Sequence, residues 1–283
     1  MAQAGDGDMT ALSGQIRVGI GGWNYAPWRG VFYPHGLAQA KELAYAASRL
    51  TSIEINSTFY GSQKPASFRK WAAAVPEGFV FSVKGPRFAT NRRVLGEAGD
   101  SIKRFLDSGV FELGERLGPL LWQFAPTKKF DAADFGKFLE LLPAQAAGKR
   151  LRHVVEVRHD SFRTPQFIAL LRAFATPVVF TDHATYPNIA DVTADFVYAR
   201  LQKGQDTLPA AYPLQDLDAW AGRLRLWAQG EEPSDLPRVD PAPAPQKIAP
   251  QKIAPRDVFA YVIHEGKIRA PAAAMALIER LRA

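Results

Sequence analysis

The residues best suited to chemistry in this chain are polar side chains, most of them ionisable, at the ends of short apolar segments. There are six such segments: Ile53-Glu54-Ile55-Asn56, Phe81-Ser82-Val83-Lys84, Leu121-Trp122-Gln123, Val155-Glu156-Val157-Arg158, Val179-Phe180-Thr181-Asp182 and Val197-Tyr198-Ala199-Arg200. Glu and Lys are rarely buried without a partner, and burial of an unpaired charge is strongly unfavourable. The repeated pattern therefore predicts that these segment ends converge on one shared polar site within an apolar scaffold.

Strand-like and helix-like segments alternate along the chain, which is typical of α/β proteins with a parallel sheet. Strands are predicted at 16–20, 52–56, 79–84, 120–124, 153–158, 178–181, 196–201 and 258–263. Helices are predicted at about 37–50, 65–74, 98–117, 132–142, 165–175, 214–229 and 271–281, with an irregular connection through Tyr186 after the sixth strand. Eight strands in a chain of 283 residues favour a TIM-type (β/α)8 barrel over an open, doubly wound sheet.

The composition limits the domain organisation and the chemistry. Residues 15–283 are predicted to form one domain after a flexible tail over 1–14, with a flexible, Pro- and Ala-rich insertion at about 231–255. The chain has no cysteine, which excludes thiolate catalysis, disulfides and cysteine zinc sites. No signal-peptide pattern and no long apolar run is present, so we expect a cytoplasmic protein without membrane contact.

Strand side chains alternate between two faces, so the polar set is predicted to line the barrel interior and its C-terminal mouth. The predicted inward cations are Lys84, Arg158 and Arg200. The predicted inward carboxylates are Glu54, Glu156 and Asp182, the last on the same face as Phe180. Two interpretations stay open: ion pairs that only hold the barrel together, or a ligand site, because barrel enzymes carry their chemistry at the C-terminal strand ends.

The loop after the first strand is rich in glycine and aromatic residues. Gly19 to Tyr25 does not match the dinucleotide-binding fingerprint, because Asn24 stands where that pattern needs a small residue. The loop's aromatic residues are Trp23, Tyr25, Trp28, Phe32 and Tyr33. They are predicted either to cap the barrel as a hydrophobic plug or to form a stacking wall for a ring-bearing ligand.

Several strings in the sequence resemble the YecE-like proteins, a family known as domain of unknown function 72. The strings are Val18-Gly19-Ile20-Gly21-Gly22-Trp23 with Trp28 and Phe32-Tyr33-Pro34, Ile53-Glu54-Ile55-Asn56-Ser57-Thr58-Phe59-Tyr60, Phe79-Val80-Phe81-Ser82-Val83-Lys84, Leu121-Trp122-Gln123-Phe124, Glu156-Val157-Arg158-His159 and Tyr198-Ala199-Arg200-Leu201. The resemblance covers about residues 16–282 and implies a TIM barrel, but it implies no activity. Two positions depart from the family pattern: Gln202 replaces a usual His, and Val262-Ile263-His264 replaces Phe-Asn-Asn, with His264 as a local substitute.

The first functional hypothesis is an enzyme, of lyase, isomerase or hydrolase type, that acts on a small anionic or sugar-like substrate, phosphorylated or not. The candidate catalytic residues are Glu54, Lys84, Glu156 and Asp182, as acid, base, Schiff-base amine or oxyanion contact. The candidate substrate contacts are Trp23, Tyr25, Asn56, Tyr60, Gln123, Arg158, His159 and Arg200. A retaining glycosidase is disfavoured, because it needs two facing carboxylates about 5 Å apart and the seventh strand offers Arg200 instead.

Two alternatives stay open. A metal-dependent hydrolase or isomerase would use Glu156, Asp182, His159, His183 and His264, although their spacing matches no known metal motif and no cofactor is predicted. A nucleic-acid or anionic-polymer binder would use the net charge of +7 together with exposed Trp and Tyr rings, although the basic residues are mostly scattered. The oligomeric state is not predicted.

Overall fold

The computed structural model describes residues 14–240, 254–263 and 266–283. Within this part of the chain, eight parallel strands form one sheet in the order β5-β4-β3-β2-β1-β8-β7-β6. They are β1 (Ile16–Gly21), β2 (Ser52–Ile55), β3 (Val80–Lys84), β4 (Leu117–Gln123), β5 (His153–Glu156), β6 (Val179–Asp182), β7 (Phe196–Leu201) and β8 (Asp257–Val262). The predicted TIM-type barrel is confirmed.

The sheet closes on itself between β5 and β6. Val155 and Val178 form an isolated parallel bridge there, and the backbone N–H of Val155 donates to the carbonyl of Pro177 at 3.0 Å. Since all strands run in the same direction, their carboxyl ends share one mouth. The polar residues at the strand ends are predicted to lie at this mouth.

Helices surround the barrel: α1 (Glu42–Arg49), α2 (Ser57–Tyr60), α3 (Pro65–Ala73), α4 (Arg87–Thr90), α5 (Gly99–Leu106), α6 (Ala132–Glu140), α7 (Pro165–Ala173), α8 (Leu214–Ala228) and α9 (Ala270–Arg282). Two of these helices begin with a side-chain N-cap. The carboxylate of Asp131 accepts from the N–H of Asp134 in α6, and the hydroxyl of Thr164 accepts from the N–H of Phe167 in α7. No helix among the described residues has the length and apolarity that a membrane crossing requires.

One predicted helix is wrong in extent. The expected helix over 98–117 ends as α5 at Leu106 and is followed by a separate 3-10 segment, Val110–Arg116. Gly109 lies between them with a φ of 100°, and a Cβ there would lie 2.7 Å from Pro65. Because only glycine adopts this backbone at so close an approach, the helix ends and the chain turns.

The barrel interior is filled by its own apolar cluster, distinct from the layer between sheet and helices. Its buried members are Val80, Leu121, Val154, Val179, Phe196, Tyr198, Phe259 and Tyr261. These side chains fill the barrel below the mouth. The layer of polar residues therefore rests on a packed apolar floor.

The predicted facing of β6 is wrong. Val179 belongs to the interior cluster, whereas the ring of Phe180 packs outward, 5.6 Å from Trp220 and 5.8 Å from Trp227 of α8. By alternation, Thr181 faces the interior and Asp182 does not. The sequence of β6 does not indicate which of its faces points into the barrel, because both faces carry large apolar side chains.

Part of the predicted flexible insertion is described, and it packs on the barrel. The carboxylate of Asp191 accepts from the N–H groups of Val239 and Asp240 at 2.7 and 2.8 Å, and Arg172 pairs with Asp240 at 2.6 Å. The rest of the insertion, over 241–253, lies outside the described residues, as do residues 1–13 of the predicted tail and His264.

Close contact between β1 and β2 generates a first prediction. A Cβ at Gly19 would lie 2.0 Å from the carbonyl oxygen of Ser52, so Gly19→Ala must push the two strands apart. We expect a loss of about 3 kcal/mol in the free energy of unfolding. Gly222→Ala in α8 is the control, because nothing lies within 4 Å of that Cβ; it should raise stability by up to about 1 kcal/mol. Equal urea midpoints for the two variants would contradict this account of the strand contact.

Candidate functional site

Arg200 on β7 is the centre of the polar layer. One terminal nitrogen, Nη1, donates to Oε2 of Glu156 at 2.6 Å, and the other, Nη2, donates to Oε1 of Glu54 at 3.1 Å. Both glutamate side chains are fully buried and the Arg200 side chain is 3% exposed. The guanidinium therefore bridges β2 and β5 across the barrel. Two acids that would otherwise be buried without a partner share one cation.

Glu156 on β5 accepts from three side chains. Besides Arg200, the amide of Gln123 donates to Oε2 at 2.8 Å and Nε of Arg158 donates to Oε1 at 2.8 Å. Burial alone would raise the pKa of Glu156, but Arg200, Arg158 and Lys84 outweigh it and lower the pKa to about 2. Glu156 is therefore ionised at neutral pH, which suits it to anchoring cations rather than to the predicted proton transfer.

Tyrosines connect this layer to the apolar floor. The hydroxyl of Tyr198 donates to Oε2 of Glu54 at 2.6 Å and lies 2.8 Å from the Ser82 hydroxyl. Beside it, the hydroxyls of Tyr261 and Ser52 are 2.7 Å apart. Burial, and then the charge of Glu54, raises the pKa of Tyr198 well above its usual value, so this hydroxyl stays protonated and keeps donating to the carboxylate.

Lys84, at the end of β3, is the lysine of the layer. Its ammonium donates to Oε1 of Gln123 at 2.7 Å, and among the described residues it pairs with no carboxylate. Burial, followed by the neighbouring charge of Arg200, lowers the pKa of Lys84 to about 8. Neutral and charged forms are thus both accessible near neutral pH, which is a property of lysines that transfer protons or attack carbonyls.

The segment after β2 positions Lys84 from outside the barrel. The hydroxyl of Thr58 donates to the carbonyl of Lys84 at 2.7 Å, and the ring of Phe59 lies 3.9 Å from the ammonium. Both residues belong to the string Glu-Ile-Asn-Ser-Thr-Phe-Tyr. An aromatic face attracts a cation more weakly than a carboxylate does, so the ring holds the ammonium in place with a smaller upward effect on its pKa.

Arg158 follows β5, on the other side of Gln123 and Glu156 from Lys84. Its Nε binds Glu156, and the described residues supply no hydrogen-bond acceptor for its two terminal nitrogens. The guanidinium lies 4.6 Å from the ring of Tyr186, which stacks on His183 with centroids 4.1 Å apart. With a side chain that is 18% exposed, Arg158 is more accessible than Arg200.

Asp182 does not join the network, contrary to the prediction that it faces Arg158 and Arg200. Its Oδ1 instead lies 2.9 Å from the ammonium of Lys203. The residue of β6 that does face the interior is Thr181, the register partner of Arg200 on β7. The hydroxyl of Thr181 and Nε of Arg200 are both buried, with no hydrogen-bond partner among the described residues.

Two predicted aromatic contacts lie away from the charged layer. Trp23 packs edge-on against Trp71 at 5.3 Å and near Phe81, on the helix-facing side of the sheet. Tyr25 packs against Trp28 at 5.3 Å, with the ammonium of Lys267 4.2 Å from its ring. The aromatic rings after β1 thus pack on one another and on neighbouring helices.

The remaining predicted contacts are spread around the rim. Asn56 immediately precedes α2 without a side-chain capping hydrogen bond, and its side-chain nitrogen lies 2.9 Å from where a Cβ of Gly21 would be. Tyr60 is 66% exposed and packs edge-on against Phe59 at 5.2 Å. His159 caps a 3-10 turn, Asp160–Phe162, by accepting from the N–H of Ser161 at 3.1 Å. Of these three, Asn56 and Tyr60 flank the residues that contact Lys84.

The described residues contain no group of three or more His, Asp or Glu side chains that could hold a metal ion. The candidate metal ligands are dispersed: Glu156 binds two arginines, Asp182 pairs with Lys203 and His159 caps a turn. His183 accepts at Nδ1 from the N–H of Thr185 at 3.1 Å.

The sequence pattern missed three residues that shape the site. Tyr198 shares a strand face with Arg200, and Phe59 lies inside the most specific string of the sequence, so a signal existed for both. Tyr186 lies in the irregular connection between β6 and β7, where no periodicity marks it. Its contact with Arg158 depends on how that connection folds over the mouth.

These observations define a TIM barrel whose C-terminal mouth holds a buried network of two carboxylates and three cations. The chain belongs to the family described as "Protein of unknown function DUF72", whose model matches residues 17–283. The family resemblance seen in the sequence strings is thereby confirmed.

Relatives agree with this assignment. The UPF0759 protein YunF of Bacillus subtilis (strain 168) is 28% identical over 116 residues, which cover 39% of this chain and 40% of YunF. A crystal structure of a DUF72 family protein from Enterococcus faecalis V583 is 18% identical, with a TM-score of 0.67 over 96% of this chain and 99% of that one. A DUF72 family protein from Thermotoga maritima MSB8 is 20% identical, with a TM-score of 0.66 over 93% and 97% of the two chains.

The bridging role of Arg200 generates a prediction about stability. Arg200→Met leaves Glu54 and Glu156 buried near each other without their shared cation, and we expect a loss of about 3–5 kcal/mol in the free energy of unfolding. Arg158→Met is the matched control: it removes one donor from Glu156 but leaves Arg200 and Gln123 in place, so its loss should be much smaller. Urea unfolding followed by circular dichroism measures both. A loss for Arg200→Met no larger than that for Arg158→Met would contradict the bridge.

The low pKa of Glu156 generates a prediction about acid stability. Its pKa is about 2 in the folded protein and near 4.5 in an unfolded chain, so its stabilising contribution is complete above pH 4.5 and is lost as pH falls toward 2. We expect that Glu156→Gln flattens the fall in unfolding free energy between pH 5 and pH 2.5, by an amount on the order of 3 kcal/mol over the full titration. Parallel curves for the variant and the unaltered protein would show that another group causes the acid loss.

Proposed function

We propose that this protein is an enzyme that binds a small anionic or sugar-like substrate at the barrel mouth and moves a proton with Lys84. The observation that carries the proposal is the state of Lys84: a buried amine with a pKa lowered to about 8, held by an amide and an aromatic ring. Arg158 is the proposed contact for the anionic group. Glu54, Glu156 and Arg200 form the rigid layer on which both cations are placed.

A purely structural role accounts poorly for Lys84. Burial of an ammonium is unfavourable, and a lysine that only stabilised the barrel would be expected to bind a carboxylate. Gln123 instead separates Lys84 from Glu156, because it accepts from the ammonium and donates to the carboxylate. This arrangement fixes the position of the amine and leaves its proton free to transfer.

The charge of the layer favours an anionic ligand. Lys84, Arg158 and Arg200 face only two carboxylates, because Asp182 pairs with Lys203. Both terminal nitrogens of Arg200 donate to those carboxylates. The excess of one positive charge over the two carboxylates therefore lies with Lys84 and Arg158. A carboxylate or phosphate between them would accept from the terminal nitrogens of Arg158 and balance the layer.

Access to Lys84 requires movement of aromatic rings. The lysine is 6% exposed, with Phe59 against its ammonium and Tyr186 against the guanidinium of Arg158. In the proposed complex the substrate displaces one or both rings from the cations. Exclusion of water then strengthens the contacts of the anionic group.

A ligand panel tests this proposal. Ribose 5-phosphate, glucose 6-phosphate, pyruvate and citrate are titrated by thermal shift and calorimetry, and any compound that binds is followed by proton NMR in D2O. We expect one of them to raise Tm and to exchange a carbon-bound proton, at a rate that rises with pH through about 8 as Lys84 loses its proton.

Variants separate the two proposed roles. Arg158→Gln should weaken binding at least tenfold, since it removes the charged fork. Lys84→Met should bind the ligand and abolish exchange, whereas Lys70→Met, an exposed lysine on α3, should behave as the unaltered protein. Absence of binding across the panel, or exchange that survives Lys84→Met, would overturn the proposal.

A further inference from the structure

A charged cavity lies at the N-terminal end of the barrel, opposite the mouth. It has a volume of about 540 Å³, and we call it the basal cavity. Its charged and aromatic lining residues are Arg17, Lys149, Arg150, Arg152 and Phe259, together with the two acids Glu115 and Asp257. In TIM barrels this end serves stability rather than chemistry, so a basic cavity here needs its own explanation.

Three of the four cations at the basal cavity form ion pairs. Arg152 binds Asp257 at 2.7 Å, Arg150 binds Asp195 at 2.9 Å, and Lys149 pairs with Glu115. The other oxygen of Asp257 already accepts from the backbone N–H of Gln15 at 3.0 Å. Arg17 is therefore left with no hydrogen-bond acceptor among the described residues.

Arg17 and Arg152 share one aromatic surface. Their guanidinium carbons lie 5.7 and 6.0 Å from the centroid of Phe259, whose ring belongs to the barrel's apolar floor. Burial lowers the pKa of Arg17, and the charge of Arg152 lowers it further, while Asp257 opposes both effects. Arg17 and Arg152 thus lie near one ring, and in the described part of the chain Asp257 forms an ion pair with Arg152 but not with Arg17, so an added anion would offset the repulsion between the two cations.

Two further cations, Lys149 and Arg150, lie at the rim of the cavity. Lys149 and Arg150 lie on one strand of a short hairpin, formed by Gln145–Ala146 and Lys149–Arg150. Their partners Glu115 and Asp195 have side chains that are 91% and 54% exposed. Exposed ion pairs contribute little and exchange easily, so both cations are available to a ligand of higher charge density.

We propose that the basal cavity binds a compact polyphosphate, with one phosphate on Arg17 and Arg152 and a second on Lys149 and Arg150. Arginine forks match phosphate oxygens in pairs, and linked phosphates would span from the floor to the rim. The cavity volume exceeds what one phosphate needs, which favours two linked groups. The ligand is either free pyrophosphate or the phosphate tail of a nucleotide, which present the same chemistry to these side chains.

Calorimetry with the full chain tests the basal cavity separately from the mouth. Pyrophosphate is titrated into the Arg158→Gln protein, in which the mouth has lost its charged fork, so that binding at the basal cavity is measured alone. We expect saturable binding with one site per chain. Adding Arg17→Gln should weaken it at least tenfold, whereas Arg93→Gln, an exposed arginine outside the cavity, should leave it unchanged.

A second variant shows whether a loss of binding in Arg17→Gln comes from a folding defect. Arg17→Lys keeps the charge over Phe259 and should fold with a similar Tm, yet bind more weakly than the parent because it lacks the fork. ADP distinguishes the two sources: equal affinity for ADP and pyrophosphate indicates that the phosphates alone are recognised, and tighter binding of ADP indicates a nucleotide. An affinity that is unchanged in both Arg17 variants, or an absence of binding in the Arg158→Gln protein, would overturn the proposal.

Discussion

The ion bridge from Arg200 to Glu54 and Glu156 is the interaction on which the rest of the mouth depends. The three residues come from β7, β2 and β5, which are not neighbours in the sheet, so the bridge crosses the barrel interior. A buried ion pair contributes little net stability, but removal of one member leaves an uncompensated charge in a medium of low dielectric constant. The bridge therefore specifies which strands face each other more than it strengthens the barrel.

The environment of Lys84 follows from the hydrogen bonds that the two acids of this bridge accept. Glu156 accepts from Arg200, Arg158 and Gln123, and Glu54 accepts from Arg200 and Tyr198. With their oxygens engaged and at least Glu156 held ionised, the acids act as anchors. Gln123 connects the acids to Lys84. Its amide nitrogen donates to Glu156, and its oxygen therefore faces the ammonium and accepts from it. The acids predicted as proton carriers thus position Lys84, the residue to which we assign proton transfer in the proposed reaction.

The sequence predicted those parts of the site that depend on strand alternation. Glu54, Lys84, Glu156 and Arg200 all lie where polar ends of apolar segments placed them, because a buried charge needs partners and the barrel mouth is where partners meet. The pattern failed on β6, where Phe180 and Val179 are both large and apolar and give no sign of their facing. It also missed Tyr186, because a contact made by an irregular connection depends on long-range packing rather than on local spacing.

The two charged ends of the barrel are separated by its aromatic floor. Tyr198 binds Glu54 above and stacks on Phe259 below, with centroids 6.5 Å apart, and Phe259 in turn lies under Arg17 and Arg152. A layer of rings excludes water, so neither cluster can be neutralised by solvent from inside the barrel. Each end must balance its charge with its own residues or with a ligand from its own side. At the mouth the excess positive charge lies with Lys84 and Arg158, and at the base it lies with Arg17. The same constraint therefore underlies the anion that we propose for each end, on independent sets of side chains.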